Sequence, residues 1–94
     1  MSKSAIKFKL SVSVIKEGNG YIAYSPALDL SSSGKSAKIA RDRFVEAVGI
    51  FFDELVKKGT LESVLTDCGW KKTDSVWKPP VVISHDVENF CVAA

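Results

Sequence analysis

Tyr21-Ile22-Ala23-Tyr24-Ser25-Pro26-Ala27-Leu28-Asp29-Leu30 runs through Ser31-Ser32-Ser33-Gly34-Lys35-Ser36 into a long segment with apolar residues at helical spacing. Just upstream, Glu17-Gly18-Asn19-Gly20 carries the residues of a tight hairpin and joins this stretch to an alternating strand. The order is therefore strand, turn, strand, bend at Pro26, short strand, glycine, helix. Nothing in it resembles a nucleophile, a metal-ligand set or a phosphate loop. It reads as a scaffold whose surfaces bind something.

On the N-terminal side, Ile6, Phe8, Leu10, Val12 and Val14 alternate with Lys7, Lys9, Ser11 and Ser13. A period of two sends one set to a buried face and the other to water, and lysines on an edge discourage aggregation. Gly18-Asn19-Gly20 supplies the positive φ that a tight hairpin needs. Pro26 lacks a backbone donor and so ends the second strand. Strands are expected near 5–16, 20–25 and 28–33.

On the C-terminal side, Ser36 is placed to cap a helix over about 36–58. Ala40, Phe44, Ala47, Phe51 and Leu55 form its core stripe, with Val45, Val48, Phe52 and Val56 beside it. Two stripes exceed the roughly 100° face that a simple surface helix buries. Lys57 and Lys58 suit the negative end of the helix dipole, and Gly59 closes it. Thr60 is expected to cap a short second helix that ends at Gly69. Trp70 to Trp77 reads as two extended pieces around Thr73-Asp74-Ser75. Pro79-Pro80 leads into a tail with a strand-like Val81-Val82-Ile83. The organisation is one domain over 1–80 and an extended tail over 81–94, possible as an exchanged strand. The fold class is α+β, a mainly antiparallel sheet of three to four strands packed on one long helix with a short second one.

A chain of 94 residues has room for a single small core, and its 46% hydrophobic content is high for that size. Either the core is dense or part of the apolar surface is an interface, and the doubled helix stripe favours the interface. A net charge of +2 does not by itself imply nucleic-acid binding. Cys68 and Cys91 do not make a disulfide framework, and no signal peptide or membrane-length apolar run is visible. The expected setting is cytoplasmic.

Candidate chemistry is thin. His85 and Asp86 are neighbours on an extended segment, so their side chains diverge. The cysteines lack zinc-site spacing. Asp29 with Asp42, Glu46, Asp53 and Glu54 could suggest a metal-dependent nuclease, but Asp42 and Glu46 interleave with Arg41 and Arg43 on a solvated face. Lys35, Lys38, Arg41 and Arg43 cluster at the helix start, where positive charge opposes the dipole. That cluster leaves room for a small dimeric module binding nucleotide or RNA. Tyr21, Tyr24, Trp70 and Trp77 are anchors of the kind found at interfaces, and alternation leaves open which of Tyr21 and Tyr24 faces inward. No catalytic residue, metal or cofactor is assigned. Tyr21, Tyr24 and Asp29 are the candidate partner-binding residues. Val45, Phe52, Val56, Val82 and Phe90 are the candidate homodimer contacts.

Over about residues 5 to 80 the sequence resembles the HicB family of bacterial antitoxins. The shared motifs are Gly20-Tyr21, Ala23-Tyr24, Pro26-Ala27-Leu28, Gly34 before the helix cap, Ala40, Glu46-Ala47, Gly59-Thr60-Leu61-Glu62 and Gly69-Trp70-Lys71-Lys72. The resemblance implies a partial ribonuclease H-like fold without catalytic residues that binds and occludes HicA, a small messenger-RNA-cleaving toxin. Members often carry a C-terminal DNA-binding module. Here about fourteen residues follow Pro80, too few for a helix-turn-helix, so operator DNA is not an expected partner. The weak positive charge is a second departure, since an inhibitor of a basic toxin is expected to be acidic, and it leaves an orphan member as an option.

Overall fold

The computed structural model describes residues 6–93, and its architecture follows from three turns. The first joins β1 (Ser13–Glu17) to β2 (Gly20–Ser25), with Gly18 at φ 59° in the first loop position. That single positive φ suits a two-residue hairpin and sets the register Glu17 opposite Gly20 and Ser13 opposite Tyr24. The second turn covers 26–29, where Asp29 sits at φ 49°, and leads into β3 (Leu30–Gly34), antiparallel to β2. The third turn, Asp74-Ser75, has both residues at positive φ and joins β4 (Lys71–Thr73) to β5 (Val76–Lys78). The fold is α+β: a three-stranded antiparallel sheet in the order β1-β2-β3, a separate two-stranded hairpin and two helices.

The long helix α1 spans Ala37–Lys58 and starts as its sequence dictates, with the Ser36 hydroxyl accepting from Ile39 N at 3.1 Å. It ends in a paired C-cap. Gly59 at φ 67° donates to the Val56 carbonyl and Thr60 donates to that of Leu55. The same motif closes α2 (Leu61–Asp67): Gly69 at φ 87° donates to Thr66, and Trp70 donates to Leu65. Thr60 does not cap α2 with its side chain as expected. Its amide is already committed to closing α1, and its ψ of 7° departs from the extended conformation an N-cap adopts.

The second C-cap also builds the core. It delivers Trp70 beside Leu65, and the indole N–H donates 2.7 Å to the Ala27 carbonyl in the buried turn after β2. Leu28, Leu55, Leu65, Trp70 and Trp77 pack together there, while Ala23, Ala40 and Phe44 make a second cluster between β2 and α1. Gly34 is required where β3 meets α1. A Cβ there would stand 2.6 Å from Ala40 N and 2.7 Å from an Ile39 methyl.

Two boundaries differ from expectation. The first strand begins at Ser13 rather than near residue 5, because β2 ends at Ser25 and offers residues 6–12 no hydrogen-bonding partner. Residue 5 itself lies outside the described residues. Residues 6–12 still alternate: Phe8 and Leu10 pack inward, and Lys7 and Lys9 face water. The third strand begins at Leu30 because Ala27 and Leu28 belong to the buried turn. After Lys78 no residue up to 93 is in a helix or strand, so the strand-like Val81-Val82-Ile83 pairs with no strand among the described residues.

Candidate partner-binding surface

Strand pairing fixes which side chains share a face, because residues directly opposite in a ladder point the same way. On one face of the sheet Tyr21, Ala23 and Ser25 point toward α1, joined by Val14, Lys16, Leu30, Ser32 and Gly34 through the register. On the other face stand Ile15, Glu17, Ile22, Tyr24, Ser31 and Ser33. The paired strands thus place no lysine or arginine on this outer face, and Lys7 and Lys9 border it where residues 6–12 continue β1. Ile15 is 48% exposed there, and Ile22 and Tyr24 are half-buried.

Tyr24 is held by Asp29 across the turn, its hydroxyl donating to Oδ1 at 2.9 Å. That bond, followed by the partial burial of the phenol and the nearby negative charge, raises the Tyr24 pKa above its ordinary 10.0. Asp29 needs a left-handed backbone to reach this position, which aspartate tolerates better than most residues. The result is an apolar and acidic surface with one oriented phenol. The structure brings Tyr24 and Asp29 together but not Tyr21. Tyr21 stands on the opposite face, half-buried beside the Ala23–Ala40–Phe44 cluster. Sequence reasoning passed over Ile15, Glu17 and Ile22. Their alternation was visible, but the side occupied by the helix was not.

The helix candidates divide. Val45 and Val56 are 71% and 54% exposed. Phe52 is half-buried in an aromatic group of the chain itself, stacked on Phe8 at 4.9 Å between ring centres and edge-on to Trp70 at 6.1 Å. Residues 6–12 lie along this second stripe and leave two open grooves against α1. One, of about 540 Å³, is lined by Ile6, Phe8, Val48, Gly49, Phe52 and Val56, with Asp53 at its rim. The other, of about 230 Å³, runs past Leu10, Val12 and Val45. Val82 is half-buried and Phe90 is 87% exposed, both on the tail.

Six of the charged residues of α1 pair with one another. Lys38 pairs with Asp42 at 2.7 Å, Asp53 with Lys57 and Glu54 with Lys58, all one turn apart, and Arg43 donates to the Ser33 carbonyl. The basic cluster therefore keeps Lys35 and Arg41 as its uncommitted members among the described residues. No group of three or more potential metal ligands converges among those residues. Cys68 is half-buried against the core and Cys91 is exposed, both as free thiols. Among the described residues no helix is long and apolar enough to cross a membrane.

No family model, curated protein or solved structure matches this chain.

Proposed function

We propose that this is a non-catalytic binding protein of HicB type, cytoplasmic and homodimeric, that binds and occludes a HicA-like RNA-cleaving protein. The observation that carries the reading is the outer sheet face. Ile15, Ile22 and Tyr24 supply apolar contact there, Glu17 and Asp29 supply negative charge, and α1 packs on the opposite side. A basic, RNA-binding partner is matched by such a face even though the whole chain carries +2. The departure in net charge therefore weighs less than the local distribution. Tyr24 is the natural anchor, since an oriented phenol combines contact area with a polar tip at low entropy cost.

Co-expression tests the proposal. Growth arrest by a HicA-like toxin should be relieved by this protein and not by the Ile15→Lys, Tyr24→Ala double variant, with both forms soluble at equal level. Equal relief by both forms would overturn the assignment of the outer face, and no relief by either would overturn the function.

A further inference from the structure

Two segments of this chain lie outside helices and strands and, among the described residues, have no strand beside them. Residues 6–12 continue β1 past the end of β2, and residues 81–93 follow the last strand. Among the described residues, neither makes a backbone hydrogen bond to another part of the chain. Over 81–88 the tail alternates with two exceptions: Val81, Ile83 and Val87 share one side with His85, and Ser84, Asp86 and Glu88 share the other with Val82. Ile83 and Val87 are 94% and 98% exposed, which is a costly arrangement for an isolated chain.

We propose that the tail of one copy adds as an antiparallel strand to the free edge of residues 6–14 in a second copy, and that the exchange is reciprocal. This rests on the homodimer reading above and specifies its contact. The charge pattern selects the register. With Lys9 opposite Asp86, Lys7 falls opposite Glu88, and the two acids meet two lysines on the solvated face. The same register sets Val87 opposite Phe8, His85 opposite Leu10, Ile83 opposite Val12 and Val81 opposite Val14, on the side that borders the grooves of α1. Val81, Ile83 and Val87 thus replace Val82 and Phe90, which fall on the other side, as the tail contacts. A shift by one residue turns the apolar set outward. A shift by two leaves one acid without its lysine. A parallel strand keeps both charge pairs but carries Val81 and Ile83 past residue 6, away from the apolar edge.

The interacting charges are free to take these roles. Neither Lys7 nor Lys9 pairs with a carboxylate among the described residues, and Asp86 accepts only from Ser84 Oγ at 2.8 Å. Main-chain hydrogen bonds would supply affinity, as in other cases of strand addition, while the charged face sets orientation. The exchange also covers an edge strand that otherwise presents unpaired backbone groups.

The test is light scattering on full-length protein at low salt, with two charge-reversed variants, Lys7→Glu/Lys9→Glu and Asp86→Lys/Glu88→Lys. The wild-type chain should have twice the 10.2 kDa monomer mass. Each variant alone should dimerise at least about tenfold more weakly, because every cross-strand charge pair becomes a repulsion. An equimolar mixture of the two should regain the dimer, since both exchanged strands are then complementary again. All four positions are exposed, so circular dichroism should be unchanged. A wild-type dimer whose affinity neither variant alters would leave the homodimer standing and overturn the strand exchange. A monomeric wild type would overturn both. Variants that remain monomeric when mixed would mean that the tail does not pair between copies, and would also overturn it.

Discussion

Ser25 and Tyr24 are neighbours on β2 with opposite surroundings, and each makes a residue-scale prediction. Ser25 is fully buried and its hydroxyl has no partner among the described residues. A buried polar group left unpaired costs about 1–3 kcal/mol, so Ser25→Ala should raise stability by about 1 kcal/mol in urea unfolding. A loss of stability would mean that the hydroxyl is satisfied in solution. Tyr24 carries a raised pKa because Asp29 binds its neutral form. A group whose pKa rises on folding adds stability below its unfolded value, and that contribution is lost as pH climbs through the folded one. The Tyr24–Asp29 bond should therefore support the turn up to about pH 10.0 and fail above it. NMR titration of the Tyr24 ring should show its midpoint falling toward that ordinary value in Asp29→Gly, a change the positive φ at 29 accommodates. An unmoved midpoint would contradict the bond. Neither environment was legible beforehand, because alternation separates Tyr24 from Ser25 without telling which side holds the helix.

Among the elements, α1 was the most legible and β1 the least. Ser36 and Gly59 bound the helix because capping depends on residues adjacent in sequence. The start of β1 depends on where a different strand ends, which alternation does not contain. Phe52 shows the same limit: its spacing marks the second stripe, but its burial depends on Phe8 and Trp70, far away in sequence. The junction between elements carries a sharper requirement. Gly34 lets the end of β3 run against the first turn of α1, and the atoms a Cβ would strike are largely backbone that cannot swing aside. Gly34→Ala should cost about 1–3 kcal/mol or more, the range for forcing extra volume into a packed site. Chemical denaturation checks it, and an unchanged midpoint would show that strand and helix can separate without loss.

For the whole molecule, the sequence carried the class of architecture, and packing decided which surfaces remain available. Trp70 bonds the turn after β2 through Ala27, so the buried side of the sheet is occupied by the chain's own residues. The partner surface was only partly legible, since Tyr24 and Asp29 meet but Tyr21 lies behind the sheet. What remains outside is the face of Ile15, Glu17, Ile22 and Tyr24, together with the strand edge and tail. The proposed inhibition of an RNA-cleaving partner by this outer face is tested most directly by following RNA cleavage by a purified HicA-like protein titrated with this chain. Cleavage should stop near equimolar addition of the wild type, and the Ile15→Lys, Tyr24→Ala variant should require at least about tenfold more, or about 1.4 kcal/mol of lost binding. Cleavage that continues undiminished at excess wild-type protein, or metal-dependent cleavage by this chain alone that disappears in Asp29→Ala, would contradict it.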